Sequence, residues 1–206
     1  MTRSLDLILD TSRQGIAMGL YSAEGETISE IFEPDARGEN LETLLDRLLE
    51  KGPAALSEVK RLLVTLGPGS FTGLRTGIAF GQGLCFSGNR ALYGVSTLKA
   101  LKTLSQNPEA ASVILKARPG YWYLGNESGE FFLSTETLLE QIDVKNYFVC
   151  DADAWALLKE RVKEDHLILS RGSEIQPFTR LFSELTPNLV QEANYIQPSY
   201  FQKSGS

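Results

Sequence analysis

Apolar residues come in short runs at the start of the chain and in helical stripes soon afterwards. Leu5–Leu9 is an apolar run that closes at Asp10, and Ile16–Tyr21 and Thr27–Phe32 are two more. Glu24-Gly25-Glu26 between the last two reads as a hairpin turn, so the chain opens on a three-stranded meander. Over 40–51 the period changes. Leu41, Leu44, Leu45, Leu48 and Leu49 share one stripe, opposite Thr43, Asp46, Arg47 and Glu50, which predicts an amphipathic helix stopped by Gly52-Pro53. Arg61–Leu66 is a buried-strand pattern, and Gly67-Pro68-Gly69 turns the chain. Ser70 then serves as N-cap of a second helix, with Phe71, Leu74, Ile78 and Cys85 as its apolar positions. A strand Ala91–Val95 and a helix capped by Ser96 complete a β-β-β-α-β-α-β-α order.

Asn107-Pro108 marks a boundary, after which the pattern restarts. Val113–Lys116, Trp122–Asn126 and Glu130–Leu133 predict a second meander. A helix Thr135–Ile142, a strand Tyr147–Cys150, a helix Asp153–Lys163 and a strand Leu167–Leu169 follow. The expected organisation is a first lobe over 1–106, a reduced copy of it over 107–201, and a polar, disordered tail over 202–206.

Gly73, Gly77 and Gly81 recur every four residues within the second helix. Each glycine costs a helix about 1 kcal/mol relative to alanine. The stripe therefore implies that another backbone packs close against it; a partner's helix is the expected neighbour, with the 40–51 helix of the same chain as the alternative.

The same segment carries a family resemblance. Gly67-Pro68-Gly69-Ser70-Phe71-Thr72-Gly73-Leu74-Arg75-Thr76-Gly77, then Gln82-Gly83-Leu84 and Gly94-Val95-Ser96-Thr97-Leu98, resemble the TsaB (YeaZ) family. Leu9-Asp10-Thr11-Ser12 and Ala117-Arg118 resemble two further family signatures. The resemblance implies an α/β fold of the actin/Hsp70/sugar-kinase class, with two lobes of mixed sheet and flanking helices. It implies a catalytically inert relative that pairs with TsaD, with the ATPase TsaE joining them. Together they make threonylcarbamoyladenosine beside the anticodon of tRNAs reading codons that begin with A. It further implies a homodimer in isolation and a contact surface on the first-lobe helices, with Thr43, Arg47, Gly73, Arg75, Gly77, Phe80 and Gly81 as candidate partner-binding residues. No cofactor is implied, though a nucleotide at the partner interface stays open, with Asp10 and Thr11 as vestigial site residues. The chain departs from the family pattern at Gly38-Glu39-Asn40, where histidine is usual. It also departs at Lys116, where the family has aspartate before Ala-Arg, and at Tyr200-Phe201-Gln202, where Tyr-Leu-Arg is usual.

Composition narrows the chemistry. The 206 residues are 42% hydrophobic, enough for a substantial core. A net charge of −6 opposes binding to a phosphate backbone, so tRNA is expected to be reached only through a partner. Cys85 and Cys150 read as buried free thiols. The N-terminal run contains Arg3 and Asp6, unlike a signal peptide, and no apolar run is long enough to span a bilayer, so a cytoplasmic protein is expected.

Enzymatic alternatives find few residues. A relative with a His-x-x-x-His pair could hold a metal on one helix face, but the matching positions here are Thr97 and Leu101. His166, the sole histidine, lies among Lys163, Glu164 and Asp165 and is expected at the surface without a catalytic partner. No lysine follows Gly67-Pro68-Gly69-Ser70 in the P-loop manner, which favours a structural turn over a phosphate cradle. Arg75 opposes the helix dipole and is expected to reach a carboxylate, in this chain or in a partner. Autonomous nucleotide hydrolysis, organised by Asp10, and glycoprotease-like activity are the competing readings.

Overall fold

The computed structural model describes residues 3–36 and 40–196. The departures at Gly38 and Glu39, those at Tyr200, Phe201 and Gln202, and the expectation for the tail lie outside the described residues.

Two five-stranded mixed sheets follow one plan. The first runs β3(Thr27–Glu33), β2(Ile16–Ser22), β1(Leu5–Asp10), β4(Val59–Thr65), β5(Ala91–Val95). The second repeats it as β8(Gly129–Ser134), β7(Tyr121–Asn126), β6(Ser112–Arg118), β9(Phe148–Cys150), β10(Leu167–Leu169). In each, an antiparallel meander is extended by two parallel strands. This is the two-lobe mixed-sheet architecture of the actin/Hsp70/sugar-kinase class.

Strand alternation decides which residues face which layer. Leu5, Leu7 and Leu9 of β1 pack outward with α1(Leu41–Lys51) and α2(Phe71–Phe86). Ile8, Leu63, Val113, Leu115 and Val149 face inward and share one core between the sheets. A third cluster joins the second sheet to α4(Thr135–Gln141) and α5(Ala152–Leu158). Two elements lie between the sheets. One is α3(Thr97–Lys102), capped by Ser96. The other is a 3₁₀ helix, Gln176–Ser183, whose Phe178 is fully buried.

Differences from the sequence expectation are local. α5 stops at Leu158, short of the expected Lys163. The 3₁₀ helix was not expected, although Ile175, Phe178, Leu181 and Phe182 give it an apolar stripe. Phe71, expected on the apolar face of α2, is 56% exposed. His166 is half-buried, with its ring 4.5 Å from that of Tyr147.

After the 3₁₀ helix the chain returns to the first lobe as an extended strap. Asn188 N–H donates to Leu92 O on the outer edge of β5, at 2.8 Å. Asn194 N–H donates to Leu66 O at 2.6 Å, and its amide side chain donates to Glu130 at 2.9 Å. Tyr195 then lies against Phe71, ring centroids 5.5 Å apart.

Both cysteines are buried free thiols. Burial, and then Asp151, push Cys150 up to about 12, and burial raises Cys85 as well. A raised pKa keeps the thiol protonated at pH 8 and unreactive. Neither cysteine should react with a disulfide reagent in the native protein, and both should react in urea. Fast labelling of the folded chain would contradict the packing described.

Candidate functional site

The site lies where the parallel strands end. β1 and β4 are parallel neighbours, so their C-terminal residues Asp10 and Thr65 stand side by side on the inward face. In open α/β sheets this end is where ligands are held. Here the carboxylate is fully engaged by its own chain. Oδ1 of Asp10 accepts from Ser12 N at 2.9 Å, Ser12 Oγ at 2.6 Å and Thr65 Oγ1 at 2.8 Å. Oδ2 accepts from Arg13 Nε at 2.9 Å and lies 2.8 Å from Arg13 Nη2. Burial alone would raise the Asp10 pKa. Arg13, Ser12 and Thr65 together outweigh burial and hold the carboxyl below the usual aspartate range.

Arg13 crosses from the first lobe to the second. Its Nη1 donates to Ser170 Oγ, and its Nη2 donates to Gly172 O at 3.2 Å. Ser170 Oγ donates in turn to Glu174 Oε2 at 3.3 Å. The Glu174 carboxylate accepts the backbone N–H groups of Arg171 at 2.9 Å and Gly172 at 3.0 Å. Gly172 supplies the positive φ, +102°, that lets the two N–H groups converge. At the adjacent strand end, Asp151 caps α5 through Ala154 N at 2.8 Å and accepts Lys116 N at 2.7 Å. Lys116 Nζ lies 2.7 Å from Asp153. The lysine that stands where the family has aspartate is thus paired with an acid on α5.

Ser12, Arg13, Asp151 and Arg171 line, with Ser70 and others, an interlobe cleft of about 1000 Å³; Asp10 and Glu174 are not among its lining residues. The residues present do not fit the metal–nucleotide that the fold class implies. Asp10 has a guanidinium where a cation would sit. The N–H groups of the Arg171–Gly172 turn already hold a carboxylate. Ser70 N–H, at the start of α2, donates to Ser12 O at 2.6 Å. Among the described residues, no three His, Cys, Asp or Glu side chains gather as metal ligands.

A model of the tRNA N6-adenosine threonylcarbamoyltransferase family, TsaD, matches residues 35–184. The chain belongs to this family. Within it, the chain is similar to TsaB (YeaZ) proteins. The tRNA threonylcarbamoyladenosine biosynthesis protein TsaB of Escherichia coli K12 is 28% identical over 188 residues, covering 83% of this chain and 80% of the relative. The TsaB protein of Bacillus subtilis 168 is 28% identical over 193 residues, covering 92% and 78%. Among solved structures, YeaZ from Pseudomonas aeruginosa shares the fold, with a TM-score of 0.71 at 23% identity over 93% of this chain and 99% of that one.

The family residues fall into separate places in the structure. Thr97 and Leu101, at the relative's metal positions, are buried, and Leu101 is part of the core between the sheets. Thr11, expected beside a nucleotide, packs its hydroxyl against Gly77 of α2. Asp10 is turned to Arg13. Thr43 and Arg47 are exposed on α1, and Arg47 pairs with Glu33 at 2.8 Å. Phe80 is half-buried against the outer core. Arg75 is exposed, and within this chain its guanidinium stacks over Phe71 at 4.8 Å.

The glycine stripe needs correction. Gly73, Gly77 and Gly81 are buried against their own chain, not presented to a partner. A Cβ on Gly73 would come closer than 3.0 Å to the carbonyl oxygen of Thr11. On Gly77 it would strike the Thr11 side chain, and on Gly81 it would strike Val64. The close neighbour of Gly73 and Gly77 is the turn after β1, and that of Gly81 is the side chains of β4 and β5. The exposed face of α2 instead carries Thr72, Arg75, Ala79, Gly83 and Phe86.

Sequence reasoning missed Arg13, Ser170 and Glu174. Only Arg13 gave a signal, a cation three residues after the strand-end aspartate.

Proposed function

We propose that this chain is a non-catalytic subunit that supports TsaD in making threonylcarbamoyladenosine in tRNA. The observation that carries the reading is Asp10, whose two carboxylate oxygens are occupied by Ser12, Thr65 and Arg13. The names of the relatives support a role in that pathway. In this reading the chain contributes a surface, TsaD transfers the threonylcarbamoyl group, and TsaE and tRNA join through the complex. The net charge of −6 agrees with tRNA being held by a partner.

The test is reconstitution with the TsaD and TsaE homologues of the same organism, tRNA and the threonylcarbamoyl adenylate. Adding the chain should raise the yield of modified adenosine well above that of TsaD and TsaE alone, while the chain alone should form none. Product formed by the chain alone, or no stimulation, would reject the reading.

The partner surface is assigned to the exposed face of α2 with Thr43 and Arg47 of α1, in place of the buried glycines. Ala79→Arg probes it. Ala79 is exposed, so the change should alter stability by no more than about 0.5 kcal/mol. It should nevertheless abolish co-elution with TsaD and any homodimer. A variant that melts normally and still co-elutes would move the interface elsewhere.

A further inference from the structure

The interlobe cleft carries its own ligands. One continuous chain of polar contacts runs from Asp10 through Arg13 and Ser170 to Glu174, and ends on the N–H groups of Arg171 and Gly172. Its first half places a cation on the buried strand-end carboxylate. Its second half places an anion in a concave pair of backbone N–H groups, the type of turn that takes up a phosphate or carboxylate. The two halves belong to different lobes, and Arg13 joins them, with its side chain only 12% exposed.

We propose that Arg13 and Glu174 are internal ligands that occupy the places of a cation and a phosphate beside this cleft. The proposal deepens the non-catalytic reading and rests on it. Glu174 is the replaceable half. It comes from the same short loop as the N–H groups it binds, and it is half-buried. Without its carboxylate, two convergent N–H donors would be left unpaired near the Arg13 guanidinium, which bonds Gly172 O and Ser170. That is an anion site made of charge and backbone together. Arg13 is the fixed half, because removing it leaves a buried carboxylate without its counter-charge.

Glu174→Ala, with Glu174→Gln as a gentler second variant, tests this on the isolated full chain with inorganic phosphate as the probe. The parent's melting temperature should not respond to phosphate beyond the change produced by sulfate-free salt of equal ionic strength. Glu174→Ala should gain several degrees from phosphate, since a ligand that binds only the folded state stabilises it. Amide exchange at Arg171 and Gly172 should quicken by roughly tenfold or more in both variants and slow again on adding phosphate. Phosphate stabilising the parent as strongly as the variant would mean that the cleft is open, and the proposal fails. Unchanged exchange at Arg171 and Gly172, or no response of either variant to phosphate, would also overturn it. These readouts use the isolated chain, so they stand or fall apart from the stimulation of TsaD. Phosphate uptake by Glu174→Ala together with failed stimulation would leave the internal ligands in place and remove only the role assigned to the chain.

Discussion

Gly73→Ala should cost the protein on the order of 3 kcal/mol, while Gly83→Ala on the same helix should be neutral or stabilising by up to about 1 kcal/mol. The difference lies in what a methyl group meets. At Gly73 it meets the Thr11 carbonyl oxygen, which is backbone and cannot rotate away. That backbone is held on both sides, by Asp10 bonding Ser12 and by Ser70 N–H bonding Ser12 O. Relief would require α2 to lift from the sheet. At Gly83 no atom lies within 4 Å, and the only effect is the entropy that alanine saves in a helix. Gly77→Ala should fall between them, because the atoms it meets belong to the Thr11 side chain, which can shift. Urea midpoints of the three variants against the parent give the order directly. A loss of this size is a large share of a typical net stability of about 5–15 kcal/mol. If Gly73→Ala and Gly83→Ala unfold at the same midpoint, α2 does not lie against the turn as described.

The second large effect is expected at Arg13. Removing one member of a buried ion pair typically costs about 3–5 kcal/mol, because the other charge is stranded. Asp10 is 2% exposed at its side chain, so Arg13→Ala should lose an amount in that range. The double variant Arg13→Ala with Asp10→Asn should lose less than Arg13→Ala alone, since no charge is then stranded. Acidity separates this from a packing loss. In the parent the folded Asp10 has a lowered pKa, so its stabilising contribution is complete above the unfolded value of about 3.9. It is lost as pH falls through the lower, folded value. In Arg13→Ala burial is opposed only by Ser12 and Thr65, so the folded pKa rises, and the variant should recover stability relative to the parent as pH falls. Urea midpoints of both proteins from about pH 7 to about pH 4 should therefore converge on acidification. Parallel curves would show that the Arg13 guanidinium does not set the charge state of Asp10.

The elements were legible because each was written locally. Leu5, Leu7 and Leu9 against Asp6, Ile8 and Asp10 declare a two-faced strand, and Ser70 and Ser96 cap the helices that follow them. The repeat of the first lobe's plan in the second was legible for the same reason. The site was legible only in part. Three glycines four apart announce a close approach, yet nothing in that pattern names the approaching group. For Gly73 and Gly77 it is Thr11, separated from α2 in the chain by three strands and a helix. Arg13 and Ser170 are 157 positions apart and belong to no shared motif, so only folding brings them together. Phe71 sits at a helical core spacing but at the exposed first turn of α2, and its ring meets Tyr195 of the strap.

The strap also sets an order on biogenesis. The carbonyl of Leu92 on the outer edge of β5 is paired by Asn188, which leaves the ribosome about 100 residues later. Until then the first sheet carries an open edge, the kind of surface that recruits strands from other molecules. The segment around Asn188 supplies that pairing only after the second lobe has been made.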